Sequence, residues 1–114
     1  MPRARPTRKA LARAIPGVRI VNFGHLGDGN LHYNVQAPAG MAAEVFLREQ
    51  EPLVNAITYD AVMACGGSIS AEHGIGQLKR DELAARKSPV ALGLMRAIKT
   101  ALDPHGVMNP GRLL

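Results

Sequence analysis

The chain has one cysteine and no tryptophan among its 114 residues, and aromatic residues make up only 4% of it. A single cysteine, Cys65, cannot form an internal disulfide or a paired-cysteine zinc or redox site. No run approaches the roughly 20 apolar residues that span a bilayer, and no apolar stretch follows the basic N-terminus as in a secretory signal. We therefore expect one small cytoplasmic domain without a transmembrane segment, with a core of Ala, Leu, Val, Ile and Met.

The positive charge is concentrated at the N-terminus. Residues 1–19 contain six basic residues and no acidic one, whereas the rest of the chain has eight basic and nine acidic residues. An Arg-rich, acid-poor N-terminus is typical of a mitochondrial presequence, although such a presequence is also rich in serine and residues 1–19 contain none. The body lacks a basic stripe interleaved with aromatic residues, so nucleic acid is not expected as a partner. We predict that residues 1–9 are disordered and that the folded domain covers 10–114.

Hydrophobic periodicity and turn residues predict an α+β fold, with a small antiparallel sheet covered by helices on one face. Pro52 predicts a kink in the long helix or two separate helices. The last helix should be capped by Ser88 and bury Leu92, Met95, Ile98 and Leu102. The predicted elements are a helix at 7–14, strands at 19–23 and 31–35, a helix at 42–64, a short strand at 68–71, a polar helix at 77–86, and a helix from Ser88-Pro89 to Asp103-Pro104.

The first stretch with chemical potential is FGHLGDGNLHYN, residues 23–34. If Asp28-Gly29 forms the centre of a type I′ hairpin, His25 pairs directly with His32. A four-residue loop would change that pairing. Paired imidazoles on one sheet face can bind one metal ion, and Asn34 would lie on the same face. The alternative is that the two histidines merely decorate a sheet. Phosphate-loop and calcium-loop patterns do not fit these glycines and acids.

The second stretch is GGSISAEHGIG, residues 66–76. Glu72 and His73 would ordinarily point to opposite sides of a strand. Gly74 and Gly76 permit a bend that turns both toward one cavity. Glu72 would then complete a set of two histidines and a carboxylate, which suits zinc, manganese or ferrous iron, and His73 would be available for proton transfer. The alternative is a solvated Glu-His pair on a surface turn.

GHLGDGNLH, EHGIG and LDPHGVMNPG closely resemble three successive motifs of the C-terminal domains of FAD-linked oxidases that act on D-2-hydroxy acids. This family includes D-2-hydroxyglutarate dehydrogenase, D-lactate dehydrogenase and the FAD subunit of glycolate oxidase. The resemblance runs from about residue 10 to the end and implies a ferredoxin-like cap domain. It implies that His25, His32 and Glu72 bind a divalent metal (zinc or manganese), that Asn34 and His73 contact substrate with His73 as the catalytic base, and that Asn109 lies near the flavin.

The resemblance further implies oxidation of a small D-2-hydroxy acid to the 2-oxo acid. Members of the family carry an FAD-binding domain before this segment, and it is not present in these 114 residues. We therefore interpret the chain as a C-terminal portion that needs an FAD domain in cis or trans, and we expect no catalysis by it alone. The alternative is a stand-alone metal-binding or assembly domain without catalysis, which could form homo-oligomers through faces left uncovered.

Overall fold

A computed structural model describes residues 4–25, 27–70 and 72–114. These residues fall into two compact units, and the second unit begins at Glu72. The described elements are four helices and one two-stranded antiparallel sheet, which confirms the predicted α+β class. No helix among these residues is long and apolar enough to cross a membrane. In chain order the elements are α1 (Ala4–Ala14), β1 (Arg19–His25), β2 (Asn30–Gln36), α2 (Ala43–Ala64), α3 (Arg80–Arg86) and α4 (Pro89–Leu102).

The core of the first unit lies between its hairpin and its long helix. Ile15, Ala37 and Phe46 are buried together, and Val18, Val35 and Val54 pack against them. Val35 comes from β2 and Phe46 from α2, so the long helix packs against one face of the sheet near Val35. On that face burial raises the pKa of Tyr33. Val21, Phe23 and His25 alternate onto the other face, where all three are exposed.

Helix α1 begins three residues before the predicted start. It includes residues 4–9, which we expected to be disordered. Thr7, Leu11 and Ile15 are all buried and follow one another at intervals of four residues. Ile15 belongs to the core described above. This spacing places the three residues on one helix face. Burial of that face orders a basic segment whose composition alone suggested a solvated tail.

Helix α2 is one continuous helix of 22 residues with Pro52 inside it, so of the two predicted alternatives, a kink or two helices, the second does not occur. The predicted glycine stop is confirmed at its C-terminus. Gly66 has a φ of +67°, and the N–H of Gly67 donates to the carbonyl of Val62 at 2.9 Å. Glycine suits this position because it adopts positive φ without the steric cost of a Cβ.

The predicted strand at 68–71 is absent from residues 68–70, and Ala71 lies outside the described residues. The Ser68 hydroxyl donates to the carbonyl of Ser70 at 2.9 Å and accepts from its N–H at 3.2 Å. Side-chain bonds of this kind offer the backbone an alternative to pairing in a sheet. Residues 68–70 are therefore held by local hydrogen bonds instead of pairing in a sheet.

In the second unit, α4 begins as predicted. The Ser88 hydroxyl accepts a hydrogen bond from the N–H of Ala91, and Pro89 occupies the first turn. The predicted buried face is only partly confirmed. Leu92 is buried, whereas Ile98 and Leu102 are 60% and 75% exposed. The spacing of apolar residues thus identified a face of the helix but overestimated how much of that face is covered.

Candidate metal and substrate site

The hairpin pairs its residues differently from the predicted type I′ turn. His25 pairs with Asn30 and Phe23 with His32, so four residues separate the paired strand ends. A type I′ turn needs positive φ at both central residues, but only Gly29 of the Asp28-Gly29 pair has it. The Asp28 carboxylate instead accepts a hydrogen bond from the N–H of Asn30 at 2.9 Å. The predicted direct pairing of His25 with His32 was therefore wrong.

The shift leaves both histidines on one face. The partner of His25 moves from position 32 to position 30, and a shift of two residues preserves the alternation of side chains. Asn34, which pairs with Val21, also lies on this face, as predicted. The histidines are consequently diagonal neighbours across the hairpin.

The two imidazoles lie close together on this face of the hairpin. Their ring centroids are 6.1 Å apart, with the ring planes inclined by 62°. A ligand nitrogen of His25 lies within 4.8 Å of one of His32. Two nitrogens bound to one zinc ion by bonds of about 2.0–2.1 Å can be at most about 4.2 Å apart. The two nitrogens are therefore candidate ligands for one metal ion.

Phe23 is a further component of the site that sequence reasoning missed. Its ring lies nearly parallel to the His32 ring, with the centroids 4.8 Å apart and the planes inclined by 13°. Phe23 is 59% exposed although it is a large apolar residue. The correct strand register would have revealed this contact, because it makes Phe23 the direct partner of His32.

Glu72 and His73 lie at the start of the second unit, in an exposed bend. Gly76 adopts a positive φ of +59°, as the predicted turn requires, whereas Gly74 does not. The carbonyl of Gly76 accepts a hydrogen bond from the N–H of Leu113 at 3.0 Å. The glycine turn after Glu72 and His73 is therefore fixed to the C-terminal segment.

Asn109 occupies an exposed loop after α4 and has a positive φ of 49°. Buried Asp103 organises this loop, since its carboxylate accepts hydrogen bonds from the N–H groups of Val107 (2.9 Å) and Met108 (3.0 Å) and from the ammonium of Lys99. The Lys99 hydrogen bond, and after it those from the backbone, hold the pKa of Asp103 below its ordinary value despite burial. Sequence reasoning used Asp103 only as a helix stop. Its spacing of four residues from Lys99 was the available signal for this contact.

Cys65, for which no function was predicted, is exposed directly after α2.

Comparison with known proteins identifies the family. Residues 4–113 match the family described as FAD linked oxidases, C-terminal domain. The chain is 45% identical over 98 residues to a D-2-hydroxyglutarate dehydrogenase of Stutzerimonas stutzeri, covering 86% of this chain and 21% of that protein. It is 45% identical over 104 residues to a mitochondrial D-2-hydroxyglutarate dehydrogenase of Bos taurus, covering 90% and 18%.

The matches cover most of this chain but only a small part of each relative. The chain spans about one fifth of the length of the curated relatives that it matches. Because the bovine relative is named as mitochondrial, the expected cytoplasmic location stays a prediction. The family match covers nearly the whole sequence, including the two histidines, the Glu-His pair and Asn109. The chain therefore belongs to the family of FAD-linked oxidase C-terminal domains.

Proposed function

We propose that this chain is the metal- and substrate-binding portion of a flavin-dependent dehydrogenase that oxidises a D-2-hydroxy acid to the 2-oxo acid. The observation that carries the proposal is the convergence of His25 and His32 on one exposed face of the hairpin. The relatives' names make D-2-hydroxyglutarate the first substrate to test.

Different residues of the chain would have different roles in this reaction. His25, His32 and Glu72 would hold a divalent ion, zinc or manganese, because imidazole and carboxylate groups suit both. When bound, such an ion supplies a Lewis acid that lowers the pKa of the substrate hydroxyl. Asn34, on the same sheet face as His32, would donate its amide N–H groups to the oxygens of the substrate.

His73 would take the proton of the 2-hydroxyl. An imidazole side chain can accept a proton from a substrate hydroxyl near neutral pH. FAD, when bound, supplies the acceptor for the hydride that leaves the α-carbon. Asn109 would present its side chain toward the flavin from the loop that Asp103 organises. One exposed loop residue cannot hold a flavin, so we expect the remaining FAD contacts from a separate domain in cis or trans.

Metal content tests the proposal directly. The purified 114-residue chain should bind about one equivalent of zinc or manganese by elemental analysis after dialysis. His25→Ala and His32→Ala should each lose most of it, and Glu72→Gln should weaken it, because each substitution removes a donor. His105→Ala and Glu51→Gln are matched controls that remove a histidine and a glutamate outside the proposed set and should retain the metal.

Catalysis needs a second measurement. The chain alone should show no flavin absorbance and should not oxidise D-2-hydroxyglutarate, whereas addition of an FAD-binding domain from a relative should restore substrate-dependent reduction of a dye. Metal uptake without activity under any such condition would favour the alternative of a binding or assembly domain. Equal metal content in His25→Ala, His32→Ala and the control variants would contradict the proposed ligands.

A further inference from the structure

We infer that Phe23 is a positioning residue, which holds the His32 imidazole in the orientation that lets His25 and His32 share one cation. This inference rests on the proposed metal centre. It concerns a residue that touches neither the proposed ion nor the reacting atoms and that acts through His32.

The contact follows from the strand register. Phe23 and His32 are direct cross-strand partners, and such residues have Cβ atoms roughly 4.5–5.5 Å apart. Their rings stack in parallel at a centroid distance of 4.8 Å. Rotation of the imidazole about its Cβ–Cγ bond would drive a ring edge into the phenyl face. Phe23 therefore restricts the directions in which the His32 nitrogens can point.

The stacked Phe23 ring does not block metal binding by His32. A metal–nitrogen bond of an imidazole lies in the plane of the ring, whereas Phe23 covers a face of the His32 ring. The His25 ring is inclined by 62° to that of His32, in an edge-on arrangement. Phe23 thus restrains one ligand of the pair without occupying the position where an ion would bind.

The same strand offers a matched comparison. Val21 shares the sheet face of Phe23 and is also largely exposed, at 47% against 59%. It pairs with Asn34 rather than with a histidine. Removing the Val21 side chain therefore reports the general effect of lost apolar surface on this face, without the loss of a ring stacked on a ligand.

Cobalt(II) is a suitable probe because its visible absorption reports ligand geometry. The 114-residue chain and its Phe23→Leu, Phe23→Tyr and Val21→Ala variants would be titrated with Co²⁺. We expect Phe23→Leu to bind about tenfold more weakly, the lower end of the range for groups that orient metal ligands, and to show an altered absorption spectrum. Phe23→Tyr keeps the ring and should match the unsubstituted chain, as should Val21→Ala. Thermal unfolding with a chelator present reports the stability of each metal-free variant.

The outcomes separate the two proposals. If the unsubstituted chain binds no Co²⁺, the metal centre is overturned and the role of Phe23 with it. If that chain binds but Phe23→Leu has the same affinity and spectrum, only the role of Phe23 is overturned, and equal weakening by Val21→Ala also overturns it. Should Phe23→Leu fail to fold, proton NMR of the unsubstituted chain still decides. A stacked phenyl ring shifts the His32 ring protons upfield, and unshifted protons would overturn the inference.

Discussion

The carboxylate of Asp103 accepts a hydrogen bond from the backbone N–H of Met108 at 3.0 Å, and so connects the end of α4 to the residue that precedes Asn109. Lys99, one turn earlier in the helix, donates both to this carboxylate and to the carbonyl of Met108. The shape of the loop that carries Asn109 therefore depends on one buried charge.

This charge should make stability depend on pH. The folded-state pKa of Asp103 is lowered from its ordinary value of 3.8, chiefly by Lys99. Its contribution is therefore fully present above the unfolded-state pKa and is lost as the pH falls through the folded-state pKa. Asp103→Asn should have a lower urea midpoint than the unsubstituted chain at pH 7, and the difference should shrink in acid.

Replacement of Lys99 tests the contribution of the lysine apart from that of Asp103. Lys99→Gln should move the acid loss of stability to higher pH, because it removes the largest cause of the lowered pKa. A midpoint difference between Asp103→Asn and the unsubstituted chain that stays constant from pH 7 into acid would contradict the assignment.

Gly24 should resist substitution although it lies beside the site rather than in it. A Cβ at this position would lie 2.1 Å from the carbonyl oxygen of Asn30 and 2.9 Å from the Cα of Leu31. Both are backbone atoms, so the strands themselves would have to separate. We expect Gly24→Ala to lower the free energy of unfolding by about 1–3 kcal/mol, as overpacking does, and to weaken metal binding by moving His25.

Gly27→Ala is the matched control, because a Cβ at Gly27 meets no atom within 4 Å and its φ is not positive. Chemical denaturation of both variants provides the measurement. Similar stabilities for Gly24→Ala and Gly27→Ala would show that a Cβ at position 24 does not force the strands apart.

The cap of α4 should contribute measurably to stability. Ser88→Ala removes the hydroxyl that accepts the N–H of Ala91 at 3.2 Å, and loss of such a cap costs about 1 kcal/mol. Ser88→Asp supplies another side-chain acceptor at the same position and should retain most of the stability. Thermal or urea unfolding would measure the difference, and an unchanged Ser88→Ala variant would show that the cap is dispensable.

Local signals predicted the elements better than the pairing between them. The start of α4 and the glycine end of α2 depend on side chains and φ values within a few residues, and both are confirmed. The hairpin register depends on the φ of Asp28 and on its bond to Asn30, which the Asp-Gly pair does not reveal. His25 and His32 nevertheless lie on one sheet face as predicted, because the predicted register was wrong by two residues and side chains alternate with a period of two.

Burial was harder to predict than helix formation. The spacing of Leu92, Ile98 and Leu102 indicates an apolar helix face whether or not anything covers it, and only Leu92 is buried. The strand predicted at 68–71 fits the composition of that segment, but the Ser68 hydroxyl provides a competing local hydrogen bond. In the first case the missing partner lies outside the helix pattern, whereas in the second the competing hydrogen bond forms within the predicted strand itself.

The helical structure of α1 should affect how the protein binds to a negatively charged surface. Arg5, Arg8, Lys9 and Arg13 are exposed on a folded helix instead of being spread along a mobile tail. Residues 20–114 carry almost balanced charge, with eight basic and nine acidic residues. We therefore expect the protein to adsorb to a cation-exchange resin in a preferred orientation through this helix, and to elute at a salt concentration that falls when these four side chains are neutralised.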